Sequence, residues 1–503
     1  MRAAGWMLFL LWPFVSAGCD GGGGGEDADA DAPVDPALEE GAEADVGPDT
    51  DADPAGDPDA DPAGDPDAPP DSVPDIEVDP GPPCTSLRME TVETATVIPQ
   101  PGGPVPEAGA PFVIPETGLQ VTRISDVGDP GAKGEFYTNG YSRWSPANVT
   151  AEYVTAFSSD GGASVYRLSD RTVVGDLDVG EPNELHWDMS GTPGTETTVY
   201  YREGPELRRV EILTGEDTLV HDFRGEYPSA AEVLNGVEGA PSNDMRYWAF
   251  QVCGGMSGGG QCEGILDIIV YDKGSDTVVG RIGDAVGSFP TPNFVDMSPS
   301  GTRIVVGTCK ESGDTPAPWN GPYAWSRDFS SNVRLGTNCT HSGWAWGTGG
   351  QEYYVSFDAC GASNEEVTET CDYLMAVDVN DPSGWDNRFG ILYMGDLGWG
   401  VGTHIGRVYT PATPGWLFVS TYGGPSDAWS ADQLFFVEVK RESEGPRIWR
   451  VTPTLNEYSE YWTEAFASLD FQALNVYWGA NWDGADNLEL YQARLCDRWW
   501  ETP

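Results

Sequence analysis

From residue 118 to residue 497, short apolar runs alternate with clusters of Ser, Pro, Asp, Gly and Asn. No stretch there carries the apolar period of an amphipathic helix. One unit recurs: a strand, a polar turn, a strand rich in aromatic and β-branched residues, then a third strand of the form apolar-apolar-Tyr-Asp. Its clearest turn, Ser298-Pro299-Ser300-Gly301, precedes Thr302-Arg303-Ile304-Val305-Val306. Proline presets the turn dihedral and glycine relieves it, so the chain can reverse tightly between strands. Weaker copies of the turn lie at 145–148, 190–195, 242–245, 347–350, 410–415 and 470–474. Third strands are expected at 164–168, 207–212, 266–272, 373–379, 434–439 and 488–493. Seven units, spaced by roughly 45–65 residues, match the period of propeller blades. The expected fold is therefore all-β, a seven-bladed β-propeller. Residues 119–125 would supply the outer strand of the seventh blade, since closing the ring removes free sheet edges.

The N-terminus reads differently. Residues 1–18 hold one basic residue, Arg2, then an apolar run from Trp6 to Val15 and the small residues Ser16-Ala17-Gly18, the order of a secretory signal. The run is shorter than the ~20 apolar residues a membrane span needs. Ser16-Ala17-Gly18-Cys19 resembles the lipobox of bacterial lipoproteins, which implies a lipid on Cys19 and export to a bacterial membrane, on its periplasmic or cell-surface face. Residues 19–83 are almost wholly Asp, Ala, Pro, Gly and Glu, and the octet Asp-Ala-Asp-Pro-Ala-Gly-Asp-Pro at 51–58 recurs unchanged at 59–66. Such a segment cannot bury enough apolar surface to offset its ordering entropy, so it is expected to be a disordered, extended stalk. The globular domain is then 84–503. Across the whole chain 81 acidic residues face 26 basic ones, a net charge of −55, which argues against nucleic acid and anionic lipid surfaces as partners.

With Cys19 set aside, eight cysteines remain, an even number that suits disulfides in an exported chain. Cys253 with Cys262 and Cys360 with Cys371 flank hairpin-like stretches. The remaining pairs are then Cys309 with Cys339 and Cys84 with Cys496, the last tying the start of the domain to its end.

The Ser-Pro-x-Gly turn, its aromatic following strand and the Tyr-Asp third strand resemble the TolB-type, WD-repeat-like propellers of bacteria. That resemblance implies architecture more than activity, because such propellers include binding scaffolds, peptidase companions and polysaccharide lyases. In a propeller the starts of the inner strands converge at one rim, and here they carry Glu181, His186, Asn293, Asp296, His341, His404 and Glu464, with Arg143 and Arg407 close by. Three of the four histidines fall at such positions. The fourth, His221, is expected on an outer strand at the surface. Imidazoles with carboxylates could hold one divalent metal ion, with His341 and His404 as ligands, or serve as base and acid. The set is similar to that of oligogalacturonate lyase propellers, whose clustered channel histidines hold a metal. Alternatively, these histidines knit neighbouring blades together by hydrogen bonds. Most tryptophans sit in apolar strands and are expected in the core, whereas Trp319, Trp399 and Trp429 sit in Pro/Gly loops and suit contact with a partner. The favoured function is a lipid-anchored extracytoplasmic binding or scaffold module for a protein or glycan. The alternative is a metal-assisted polysaccharide lyase or hydrolase with its site in the central channel.

Overall fold

The structure is a computed structural model that describes residues 88–501, apart from 132–136, 159–161, 178–183, 237, 258–259, 310–316, 338, 359–368, 460, 483 and 486. The signal segment and stalk expected over 1–83 lie outside the described residues, as do Cys19, Cys84, Glu181 and Cys360.

Seven antiparallel sheets form a β-propeller. Their inner strands are, in chain order, Tyr137–Thr138, His186–Trp187, Glu232–Leu234, Phe294–Met297, Ser342–Trp346, Gly402–Ile405 and Ser468–Leu469, which define blades 1 to 7. Each of the seven turns picked out by composition lies between the first and second strands of its blade. At the clearest of them Gly301 has a φ of +73°, and a Cβ there would come within 2.7 Å of the Tyr247 ring, so both backbone freedom and space demand glycine. The third strand of blade 4, Tyr323–Ser326, has no counterpart in the sequence expectation. It follows a Pro- and Gly-rich approach that reads as loop.

Packing between blades closes the ring. Val165 and Leu177 of blade 1 share a core with Tyr200 and Val210 of blade 2 and with Trp248 and Phe250 of blade 3. Comparable clusters join blades 3 and 4 through Ile268 and Val295, 4 and 5 through Val305 and Trp344, and 5 and 6 through Val355 and Leu417. Phe436 and Trp478 join blades 6 and 7, and Tyr166 and Tyr477 join blades 1 and 7. Each such side chain, fully buried, contributes roughly 1.5–3 kcal/mol.

The last blade is completed by the beginning of the domain. Gln120–Arg123 pairs antiparallel with Glu489–Arg494, Val121 facing Ala493, as the closure argument requires. Two further strands were not foreseen. Pro111–Val113 adds outside Gln120–Arg123, and Arg88–Glu90 adds to Ile448–Pro453 of blade 6. Disulfides join Cys253 to Cys262 across the long hairpin of blade 3 and Cys309 of blade 4 to Cys339, just ahead of blade 5. Cys371 and Cys496 are also disulfide-bonded. Their expected partners, Cys360 and Cys84, are outside the described residues.

Candidate functional site

The channel centre is filled by charge. Asp296, on the inner strand of blade 4, is fully buried. Its Oδ1 accepts the Ala240 N–H at 2.8 Å and Arg407 at 3.3 Å, and its Oδ2 accepts the Trp344 indole N–H at 2.6 Å. Arg143, reaching in from blade 1, approaches the same carboxylate at 3.6 Å and binds Glu238 at 2.7 Å. Arg407 continues to the Asn243 side chain at 3.1 Å and the Pro241 carbonyl at 2.9 Å. Burial pushes the Asp296 carboxyl up, while Arg407 and Arg143 oppose that shift. Residues from blades 1, 3, 4, 5 and 6 thus meet on one carboxylate, which serves as a hub rather than a free acid.

Near the starts of three inner strands, His341, His404 and Glu464 come together. These residues open blades 5, 6 and 7, so consecutive blades bring them to one side of the ring. The His341 and His404 rings stack, with centroids 4.3 Å apart and planes 27° from parallel. Nδ1 of His341 donates to the Thr403 carbonyl at 2.7 Å, and Nε2 of His404 meets Glu464 Oε2 at 2.8 Å. His404 is fully buried against Tyr141, Tyr422 and Phe466. Burial, then the nearby His341 and Arg143, hold its imidazole well below the usual histidine range. Burial pushes the Glu464 carboxyl the other way, to about 7, with the Tyr422 hydroxyl opposing. Neither group is therefore held as a strong ion, and the contact is a hydrogen bond whose proton sits on Nε2 or on the carboxyl.

His186 and Asp296 do not join this group. His186 instead lies edge-on to Trp144 at 5.2 Å and to Trp248 at 5.6 Å. Burial, then Arg407, lowers its imidazole to about 3, so it is neutral at ordinary pH. Its Nε2 has no hydrogen-bond partner among the described residues and lines a cavity of about 10 Å³, the scale of one water molecule. His221 does stand on the outer strand of blade 2, but it is half-buried rather than a plain surface residue. Its Nδ1 meets Asp276 of blade 3 at 2.7 Å and its Nε2 meets Glu226 at 3.3 Å. Asn293 is exposed beside its strand.

The pair His341 and His404 does not fit a divalent ion in this arrangement. Stacked rings do not direct their nitrogens at one point. Among the described residues no group of three or more His, Cys, Asp or Glu side chains is arranged to hold a metal.

Around the mouth stand residues that the sequence argument passed over. Tyr141 and Tyr461 each meet the Phe466 ring, at 5.4 and 5.0 Å, Tyr458 meets Tyr422 at 5.2 Å, and Tyr141 donates to Glu238 at 3.3 Å. Tyr458 and Tyr461 are 44% and 40% exposed. The signal was present in Tyr458-Ser-Glu-Tyr-Trp-Thr-Glu-Ala-Phe466, an aromatic and acidic run just ahead of blade 7. Of the three loop tryptophans, only Trp399 is exposed; Trp319 packs on Trp325, and Trp429 packs on Phe435 with its indole N–H on the Asp396 carbonyl.

No family model matches the chain, and no curated protein matches it in sequence. Among solved structures, an oligogalacturonate lyase from Vibrio parahaemolyticus aligns at TM-score 0.52 and 11% identity, covering 82% of this chain and 98% of that one. An oligogalacturonate lyase in complex with manganese aligns at TM-score 0.46 and 14% identity, covering 78% and 97%. The Cps50 (Swd1) β-propeller domain from Myceliophteria thermophila aligns at 0.36 and 11%, covering 70% and 96%. At these identities the likeness is one of fold.

Proposed function

We propose that this chain is a lipid-anchored, extracytoplasmic binding propeller of TolB-like type, which meets a glycan or protein at the channel mouth. One observation carries the reading. His404 is bound to Glu464, His341 to the Thr403 carbonyl, and Arg143 and Arg407 close on Asp296, so the rings of Tyr458 and Tyr461 are what the mouth offers outward. Aromatic faces suit sugar rings, and Tyr adds a hydroxyl for polar contact at little entropic cost. The test is a glycan and protein array probed with the intact chain. Binding is expected, and Tyr458→Ala/Tyr461→Ala is expected to lower the signal at least tenfold with unchanged thermal unfolding. A signal indifferent to that double change would move the site elsewhere and sink the reading.

The anchor is inferred from Ser16-Ala17-Gly18-Cys19 followed by the acidic stalk. Cys19→Ser is expected to shift the protein from the membrane fraction to the soluble fraction. Retention of the variant on membranes would show that the cysteine holds nothing.

A second reading, a polysaccharide lyase or hydrolase, is favoured by Glu464. A carboxyl brought to about 7 is poised for general acid or base work. Release of unsaturated or reducing ends from oligosaccharides, lost in Glu464→Gln, would favour this reading over the binding module.

A further inference from the structure

Glu464 is 8% exposed and faces an imidazole that burial keeps neutral. Among the described residues no arginine or lysine pairs with it. The contrast with its neighbour is instructive: Glu238, at the same mouth, is held by Arg143 at 2.7 Å. Other buried carboxylates in this propeller either have a guanidinium, as Glu238 does, or several neutral donors, as Glu352 has in Ser300 and Asn380 and Asp470 has in the Leu474 N–H and Asn475. Asp296 has two guanidiniums, Glu184 has Arg202, and Glu90 has Arg450. Among the described residues Glu464 has neither: its side chain hydrogen-bonds to His404 alone, in a setting of aromatic rings. The Tyr422 hydroxyl opposes the upward shift of its carboxyl, the Glu464 backbone N–H donates to the Tyr461 carbonyl at 3.1 Å, and the Tyr458 ring meets the Tyr422 ring at 5.2 Å with planes 48° apart. A carboxylate at the base of tyrosine faces is the arrangement that receives an organic cation, because ring quadrupoles attract positive charge and the carboxylate supplies the counter-ion.

We propose that the channel mouth binds a ligand bearing free ammonium groups, with Glu464 as counter-ion and Tyr422, Tyr458 and Tyr461 as the aromatic wall. Resting on the binding reading above, this assigns its glycan to the amino sugars with unacetylated nitrogen. The charge of the whole chain points the same way, since a net −55 repels uronic acid polymers and attracts polyamines. An amino sugar also uses both features of the mouth, its ring face on a tyrosine and its nitrogen at the carboxylate. No covalent step is implied.

Titration calorimetry with the intact chain in detergent would use three probes of equal length: tetraglucosamine, tetra-N-acetylglucosamine and tetragalacturonate. Tetraglucosamine is expected to bind at least about tenfold tighter than the acetylated probe, with the uronate weakest. Added salt should weaken tetraglucosamine more than the acetylated probe. Glu464→Gln keeps the size of the side chain and its hydrogen bond to His404, and is expected to lower tetraglucosamine affinity at least about tenfold with thermal unfolding unchanged. If that variant proves unstable, Tyr461→Phe serves as a control and Tyr461→Ala as the test, the first retaining affinity and the second losing it. Equal affinity for the acetylated probe, or full affinity in Glu464→Gln, overturns the cation proposal and leaves the binding module standing. Absence of tetraglucosamine binding together with an array signal that depends on Tyr458 and Tyr461 does the same. Absence of both removes the binding reading itself.

Discussion

Asp296→Ala is expected to lower the free energy of unfolding by about 3–5 kcal/mol, the cost of breaking a buried ion cluster from one side. The carboxylate is fully buried and stands between Arg143 and Arg407, which are also buried. Removing it leaves Arg143 with Glu238 and leaves Arg407 with neutral oxygens of Asn243 and Pro241, so two guanidiniums share the channel centre with one anion between them. The Ala240 N–H and the Trp344 indole N–H lose their acceptor as well. Asp296→Asn retains the shape and one acceptor oxygen, so its loss should be smaller. Urea unfolding followed by tryptophan fluorescence measures both, with the slope confirming that one transition is being compared. A loss below about 1 kcal/mol in Asp296→Ala, the range of ordinary surface changes, would show that the cluster does not hold the blades.

What composition and spacing revealed, and what they hid, follows from how local each signal is. The turn at Ser298-Pro299-Ser300-Gly301 is specified by its own four residues, and the weaker copies share its register within the blade, so blade number and closure were legible. The meeting of His341, His404 and Glu464 was also legible, because they begin three consecutive inner strands and neighbouring blades must place strand starts side by side. His186 begins an inner strand too, yet blade 2 is not next to blades 5, 6 and 7, and its imidazole packs on Trp144 and Trp248. Strand position alone does not reveal what occupies the channel centre. The hub itself is half visible in the sequence: Arg143 and Arg407 lie close to the strand starts, but Glu238 sits in a Gly-rich loop with nothing local to single it out. Trp319 and Trp429 show the converse failure. Their Pro/Gly neighbours indicate a loop, but loop composition does not say whether the loop folds back on a ring such as Trp325 or Phe435. His221 was placed on the correct strand, and only the neighbouring blade's Asp276 makes it a bridging residue.

A chain that begins at Asp126 is expected not to fold to a single native state, the largest effect anticipated for this protein. Without Gln120–Arg123, blade 7 loses its outer partner, and the Glu489–Arg494 strand exposes a row of backbone donors and acceptors at an open edge. The deletion also removes Ile114, Leu119, Val121 and Ile124, all buried. At roughly 1.5–3 kcal/mol each, their burial is worth about 6–12 kcal/mol, comparable with the whole stability of an ordinary domain. The strand is covalently distant from its partner, so its contribution is made only when the ring closes, and blades 1 and 7 then lock each other through Tyr166, Tyr477 and Ile124. Supplying the missing strand as a separate peptide covering 111–125 should restore part of the fold, because the pairing needs the strand and not its connection. The readout is near-ultraviolet circular dichroism and the sharpness of urea unfolding. A truncated chain that unfolds in one steep transition at the midpoint of the intact protein would mean that blades 1 and 7 hold together without the clasp.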